Sequence, residues 1–216
     1  MNHSPVIFDI ETRPVSMKRL KEILPTYDLK KDKHYDTSIT ADANEAFHWD
    51  RKHERAALHA ETASVCALGF FTNGIDWINT DRHMHESQLL REFWSWVAKD
   101  HQLIGFNVFR FDFPFLVRRS WYHGLETPGI SPSVLSQVGF YPFKHVDLLK
   151  IWQCGNSDSW ASLDVVCKAA GIDGKPSDCT GADFHRVLDE SPDIARNYLA
   201  NDLRMTEQLA RRMRVL

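Results

Sequence analysis

Pro5-Val6-Ile7-Phe8-Asp9-Ile10-Glu11 is the stretch on which the reading of this chain turns. It is apolar and β-branched, which predicts a strand, and Arg13-Pro14 is expected to end it. Residues two apart on a strand project from the same face. Asp9 and Glu11 therefore point one way, while Phe8 and Ile10 point the other way into apolar packing. Two carboxylates side by side on an otherwise hydrophobic strand repel each other and need a reason. A solvated face on an edge strand is one reason; chemistry that uses both acids is another.

Outward from this strand, residues 15–60 are polar and charged, with helical stretches near 17–24 and 44–59. Strands are expected at 63–71 and 74–79, joined as a hairpin around Thr72-Asn73-Gly74. Residues 87–98 carry apolar side chains at helical spacing. Short strands at 102–106 and 145–148, and helices at 113–123, 163–170, 182–189 and 193–214, complete the pattern. Adjacent strands come first, and helices then alternate with further strands. That order predicts an α/β fold, a mixed β-sheet flanked by α-helices. With no internal repeat or linker in 216 residues, the expectation is one domain over 1–216, in which residues 15–60 form a polar, partly helical excursion.

Two further segments carry acids. In Gly105-Phe106-Asn107-Val108-Phe109-Arg110-Phe111-Asp112, a strand runs into a short loop and Asp112 stands at the start of the next helix. A carboxylate there is a natural helix cap, so capping and chemistry both account for Asp112 taken alone. In Tyr198-Leu199-Ala200-Asn201-Asp202 the Tyr198 hydroxyl and the Asp202 carboxylate share one helix face at i and i+4. An exposed Tyr–Asp pair is the plain alternative.

Composition narrows the classes. An apolar content of 43% supports a sizeable core, and seven Trp and 13 Phe make it aromatic. No apolar run approaches the roughly 18 residues of a membrane span, and the N-terminus lacks the order of a secretory signal. Cys66, Cys154, Cys167 and Cys179 form no CxxC pair, so neither a zinc knuckle nor a disulfide framework is indicated, and a cytoplasmic location is expected. The eleven histidines show no H-E-x-x-H pairing. A net charge of −3 argues against a nucleic-acid partner. If four carboxylates hold two divalent cations, however, the working charge becomes +1 and the most acidic spot turns positive.

In chain order the three segments read D-x-E on a first strand, N-x-x-x-F-D after a mid-chain strand, and Y-x-x-x-D on a late helix. This resembles the DEDDy branch of the 3′–5′ exonucleases, which have a ribonuclease-H-like fold. The resemblance is closest to the predicted exonucleases similar to the proofreading domain of family B DNA polymerases. Ala56-Ala57-Leu58, His145-Val146-Asp147-Leu148, Ser162-Leu163 and Ala170-Gly171-Ile172-Asp173-Gly174-Lys175-Pro176 extend it over nearly the whole chain, with a loose match over 15–55. Residue 197 is Asn where the sister branch needs His, which favours the Tyr assignment.

The resemblance implies a metal-dependent hydrolase that releases nucleoside 5′-monophosphates from the 3′ end of DNA, most naturally single-stranded. RNA as substrate, or a catalytically silent nucleic-acid-binding module of the same fold, are the alternatives. It implies two divalent cations, Mg²⁺ or Mn²⁺, which are hard ions suited to carboxylate oxygens. Asp9 would bridge both, Glu11 and Asp202 would complete the shell of one, and Asp112 would hold the other through water. Tyr198 would orient the attacking water. Thr12, Asn107 and Phe111 would meet the 3′ nucleotide, with core packing an equal alternative for Phe111. Lys175 is either a phosphate contact or a solvated loop lysine, and Asp147 either a ligand or a cap. The basic runs Lys30-Lys31-Lys33, Arg51-Lys52-Arg55 and Arg118-Arg119 either track a nucleic-acid backbone or form solvated faces.

Overall fold

The alternation in the first strand, β1 (Val6–Pro14), separates two cores. Val6, Phe8 and Ile10 belong to one buried cluster, and Ile7 belongs to another on the opposite side. These features come from a computed structural model that describes residues 5–130, 135, 144–174 and 179–216. The strand ends at Arg13-Pro14, as expected, and includes both residues, which pair with Ser64 and Ala63. Proline at a strand end removes no donor from the interior of the ladder.

β2 (Ala63–Thr72) pairs antiparallel with β1, and β3 (Ile75–Thr80) pairs antiparallel with β2. The turn between them places Asn73 at φ 51° and Gly74 at φ 80°, the two left-handed positions a tight hairpin requires. β4 (Leu103–Gly105) and β5 (Val146–Asp147) add in parallel on the other side of β1, giving the order β3-β2-β1-β4-β5. The acid-bearing strand is therefore the centre of a mixed sheet, not an edge.

One face of the sheet is covered by α3 (Glu86–Ala98) and α4 (Asp112–Tyr122). Phe8, Phe93 and Phe113 meet there with ring centroids 5.3–5.8 Å apart in tilted and edge-on contacts. The excursion contributes α1 (Met17–Ile23), a 3₁₀ turn at Leu29–Lys31 and α2 (Ala41–Ala56), joined by a small cluster of Leu20, Trp49 and Ala56. α5 (Leu148–Gln153), α6 (Leu163–Ala169), α7 (Phe184–Glu190) and α8 (Pro192–Arg212) contribute to the core on the other face. α5 was not expected: it follows a two-residue strand directly and is too short to show a helical period.

Arg119 corrects one expectation. It is buried, in a bidentate pair with Glu86 at 2.6 and 2.8 Å, and it also donates to the Ala60 carbonyl. It ties α4 to α3 and has no face free for a phosphate. No helix among the described residues is long and apolar enough to cross a membrane.

Candidate active site

Asp9 and Glu11 lie on the α8 side of β1, where the strand is flanked on β2 by Gly69 and Ala67, their register partners. The missing side chain at Gly69 is what lets α8 approach. A Cβ there would lie 2.8 Å from Leu203 Cδ1 and 3.1 Å from Leu199 Cγ. Asp202 lies between those two leucines along the helix and is only 4% exposed. One carboxylate oxygen from each of Asp9, Glu11 and Asp202 falls within 4.8 Å of the others. Three anionic oxygens this close, one from a buried side chain and none from sulfur or imidazole, form a donor set that fits a hard divalent cation.

Tyr198 precedes Asp202 by one turn and is 5% exposed, so the solvated Tyr–Asp pair is not what forms. Its ring faces Phe184 at 6.0 Å between centroids. A Cβ at Gly181 would lie 3.7 Å from Tyr198 Oη and 4.0 Å from Glu11 Oε2. The hydroxyl is thus on the Glu11 side of the acids, with bare backbone beside it.

Asp112 is the first residue of α4, but the helix is capped at Phe111 without a side-chain bond. The capping alternative fails. The Asp112 carboxylate instead crosses to β1, where Oδ1 accepts the N–H of Ile10 at 3.3 Å, between the two strand acids. The close group of three does not include it. Burial, and next the charge of Asp9, push its carboxyl well above the usual carboxylate range. Such a site favours either a proton or a neighbouring cation.

Asp147 is resolved as a cap. Its carboxylate accepts the N–H groups of Asn107 at 2.8 Å, Phe109 at 3.0 Å and Leu149 at 2.9 Å. It therefore starts α5 and also ties down the loop that delivers Asp112. Burial raises its pKa despite these bonds. Asn107 takes φ 64° in that loop, a conformation Asn tolerates better than most residues. Gly105 is required just before it, since a Cβ would meet Val108 Cγ1 at 2.3 Å and the Phe8 carbonyl at 3.0 Å.

The remaining expected residues divide. Thr12 is buried, and its hydroxyl donates to the Ala57 carbonyl at 2.7 Å, fastening the end of α2 to β1. Phe111 is half-buried against Phe115, with centroids 5.5 Å apart, at the margin of the α3/α4 core. Lys175 lies outside the described residues. Sequence reasoning missed Gly69 and Gly181; a glycine inside a strand, as at Gly69, is itself a signal of close approach.

A family model described as predicted 3′–5′ exonuclease related to the exonuclease domain of PolB matches residues 52–206. That segment contains Asp112, Tyr198 and Asp202 and begins after Asp9 and Glu11, which β1 supplies to the same place. Among solved structures, the family B DNA polymerase from the hyperthermophilic archaeon Pyrobaculum calidifontis is similar, with a TM-score of 0.62 and 18% identity. The likeness covers 96% of this chain and 24% of the polymerase, so the chain spans about a quarter of that protein. At that identity it shows the fold: a ribonuclease-H-like mixed sheet flanked by helices. No curated protein matches. With a match over well beyond half its length, the chain belongs to the family of predicted 3′–5′ exonucleases related to the exonuclease domain of PolB.

Proposed function

We propose that this enzyme hydrolyses single-stranded DNA one nucleotide at a time from its 3′ end, releasing nucleoside 5′-monophosphates with two bound divalent cations, Mg²⁺ or Mn²⁺. The observation that carries this reading is the convergence of Asp9 and Glu11 from β1 with Asp202 from α8. Asp9, Glu11 and Asp202 would hold one cation, and Asp112, beside Asp9, would help to hold the second. When bound, the pair supplies Lewis acidity toward the phosphate and a lowered pKa for water.

The protein's own groups do the positioning. Tyr198 Oη, beside Glu11, orients water toward the scissile phosphate; a phenol with an unperturbed pKa near 10 is a poor base at neutral pH. Glu11 shares that water's hydrogen bonds. The backbone at Gly181 leaves room for a nucleotide that a side chain would fill. The Asp147 cap keeps the Asp112 loop in one conformation, so Asp112 need not be ordered anew at each turnover.

Digestion of 5′-labelled DNA and RNA strands with Mg²⁺, Mn²⁺ or chelator tests this. A descending ladder that depends on metal, is blocked by a 3′ phosphate and spares circular single strands is expected. Labelled mononucleotide appearing before any ladder would overturn the direction. Preference for RNA would overturn the substrate, and binding without turnover would leave a silent module. Asp9→Ala should abolish turnover, whereas Tyr198→Phe should lose roughly 10²-fold and retain the rest.

A further inference from the structure

Two basic runs that are far apart in the sequence face one another in space. Lys31 and Lys33 lie on one side of an open cleft of about 740 Å³, and Arg51, Lys52 and Arg55 from the last turns of α2 lie on the other. Residues 51, 52 and 55 share a helix face by their i, i+3 and i+4 spacing.

Three acids also line the cleft, but two of them are committed to its frame. Asp32 has a side chain only 3% exposed, accepts bonds from the Tyr27 hydroxyl and the His34 N–H, and lies 3.5 Å from Arg51. Asp28 accepts the Lys30 N–H and lies 3.4 Å from Lys31. Only Glu54 remains against Lys33, Lys52 and Arg55, which are exposed and form no ion pair among the described residues. The cleft is therefore net positive on a chain whose formal charge is −3. Such an inversion of sign concentrates anions locally.

Its location gives the anion an identity. The end of α2 is fastened to β1 by the bond from Thr12 to the Ala57 carbonyl, one residue from Glu11. His53 Nε2 lies 3.0 Å from the Val15 carbonyl and secures the same junction. At 1.5 Å per helical residue, Arg55 and Lys52 stand about 3 and 8 Å along the axis from that bond. The positive cleft is thus tied, through the end of α2, to the strand that carries Asp9 and Glu11.

We infer that this cleft binds the phosphodiester backbone of the substrate strand upstream of its 3′ end. The inference rests on the exonuclease reading and extends it from the terminal nucleotide to the strand behind it. Lysine and arginine at three exposed positions would contact phosphates without reading bases, so the contribution is independent of sequence and weakened by salt.

The test is the triple variant Lys33→Ala, Lys52→Ala, Arg55→Ala, with a thermal melt confirming that it folds. Binding of labelled 20-nucleotide DNA and RNA strands is measured across salt concentration in an Asp9→Asn background, in which turnover is blocked. Loss of three phosphate contacts should flatten the log–log salt slope by about 2, so the variant's deficit shrinks about 15-fold between about 50 and about 200 mM salt. In the active background, kcat/KM should fall at least tenfold more for the 20-nucleotide strand than for a dinucleotide. Coincident salt slopes, or equal losses on both substrates, would overturn the assignment. A parent protein that degrades neither substrate would refute the exonuclease reading, while the salt slopes would still decide the cleft.

Discussion

A single methyl group at Gly69 should cost stability and loosen the acidic cluster together. The added Cβ would stand 2.8 Å from Leu203 Cδ1, 3.1 Å from Leu199 Cγ and 3.3 Å from Leu199 Cδ2. Comfortable carbon–carbon separations are about 3.5–4.0 Å. Leu199 and Leu203 are fully buried, so neither can swing toward solvent, and α8 must give way. Two effects oppose one another. Replacing glycine by alanine gains about 0.4–1 kcal/mol by restricting the unfolded chain, whereas overpacking a core costs about 1–3 kcal/mol. Overpacking should win by about 1–2 kcal/mol, a fall in Tm of roughly 2–8 °C for a protein of this length. Leu203→Ala alone opens a cavity and should cost about 2–5 kcal/mol. In the double variant the new methyl takes part of that space, so the combined loss should fall short of the sum by about 0.5–2 kcal/mol. Because Asp202 lies between the two leucines on α8, the rise in Tm on adding Mn²⁺ should also shrink in Gly69→Ala. Thermal melts of the four proteins, each with chelator and with Mn²⁺, measure all three quantities. A Gly69→Ala protein that melts at or above the parent, with additive losses in the double variant, would refute the reasoning.

Asp112→Asn keeps an acceptor for the Ile10 N–H but removes an ionisable carboxyl whose charged form burial and Asp9 both disfavour. The metal-free protein should melt higher, and its Mn²⁺ stabilisation, about 2.7 kcal/mol for one site in the parent at 100 times Kd, should shrink; equal responses would place Asp112 outside the cluster. Asp147→Ala strands the N–H groups of Asn107, Phe109 and Leu149, and at about 1–3 kcal/mol for each unpaired buried donor should cost roughly 3 kcal/mol or more. Hydrogen exchange at residues 107 and 109 should accelerate beyond the global change, and uniform acceleration would deny the loop-tying role. His145 accepts the Leu103 N–H through Nδ1 at 3.1 Å and stacks on Phe113, and burial together with Lys144 lowers its pKa to about 4. The unfolded chain therefore takes up this proton first. The His145 contribution is complete above pH ~6.5 and is lost as pH falls toward 4, by up to about 3 kcal/mol. Urea unfolding at pH 7 and pH 5 should show a smaller difference in His145→Gln, and identical differences would count against it.

Much of the candidate site was legible because local geometry encodes it. Period two places Asp9 and Glu11 on one face of β1 whatever packs there, and the i, i+4 relation places Tyr198 beside Asp202 on any α-helix. The Asn73-Gly74 turn likewise announces its hairpin, since few other pairs accept two left-handed residues in succession. The alternatives left open at Asp112 and Asp147 had no such local answer. A carboxylate at a helix start looks the same whether it caps that helix or reaches Ile10, 102 residues earlier, and only the packing of α4 against β1 decides between them.

Asp147 is similar. Its acceptors satisfy amides 38 and 40 residues away, brought near by the parallel pairing of β4 and β5. Arg119 and the basic runs at 30–33 and 51–55 read alike as charge, yet Arg119 is sealed against Glu86 while Lys31, Lys33, Arg51, Lys52 and Arg55 line one cleft. By itself the sequence determined which acids share a face and which elements carry them, because backbone period is a property of neighbours in the chain. Only the tertiary structure decided that α8 descends onto Gly69 to bring Asp202 to Asp9 and Glu11, because that contact depends on where a side chain is absent on a strand more than a hundred residues away.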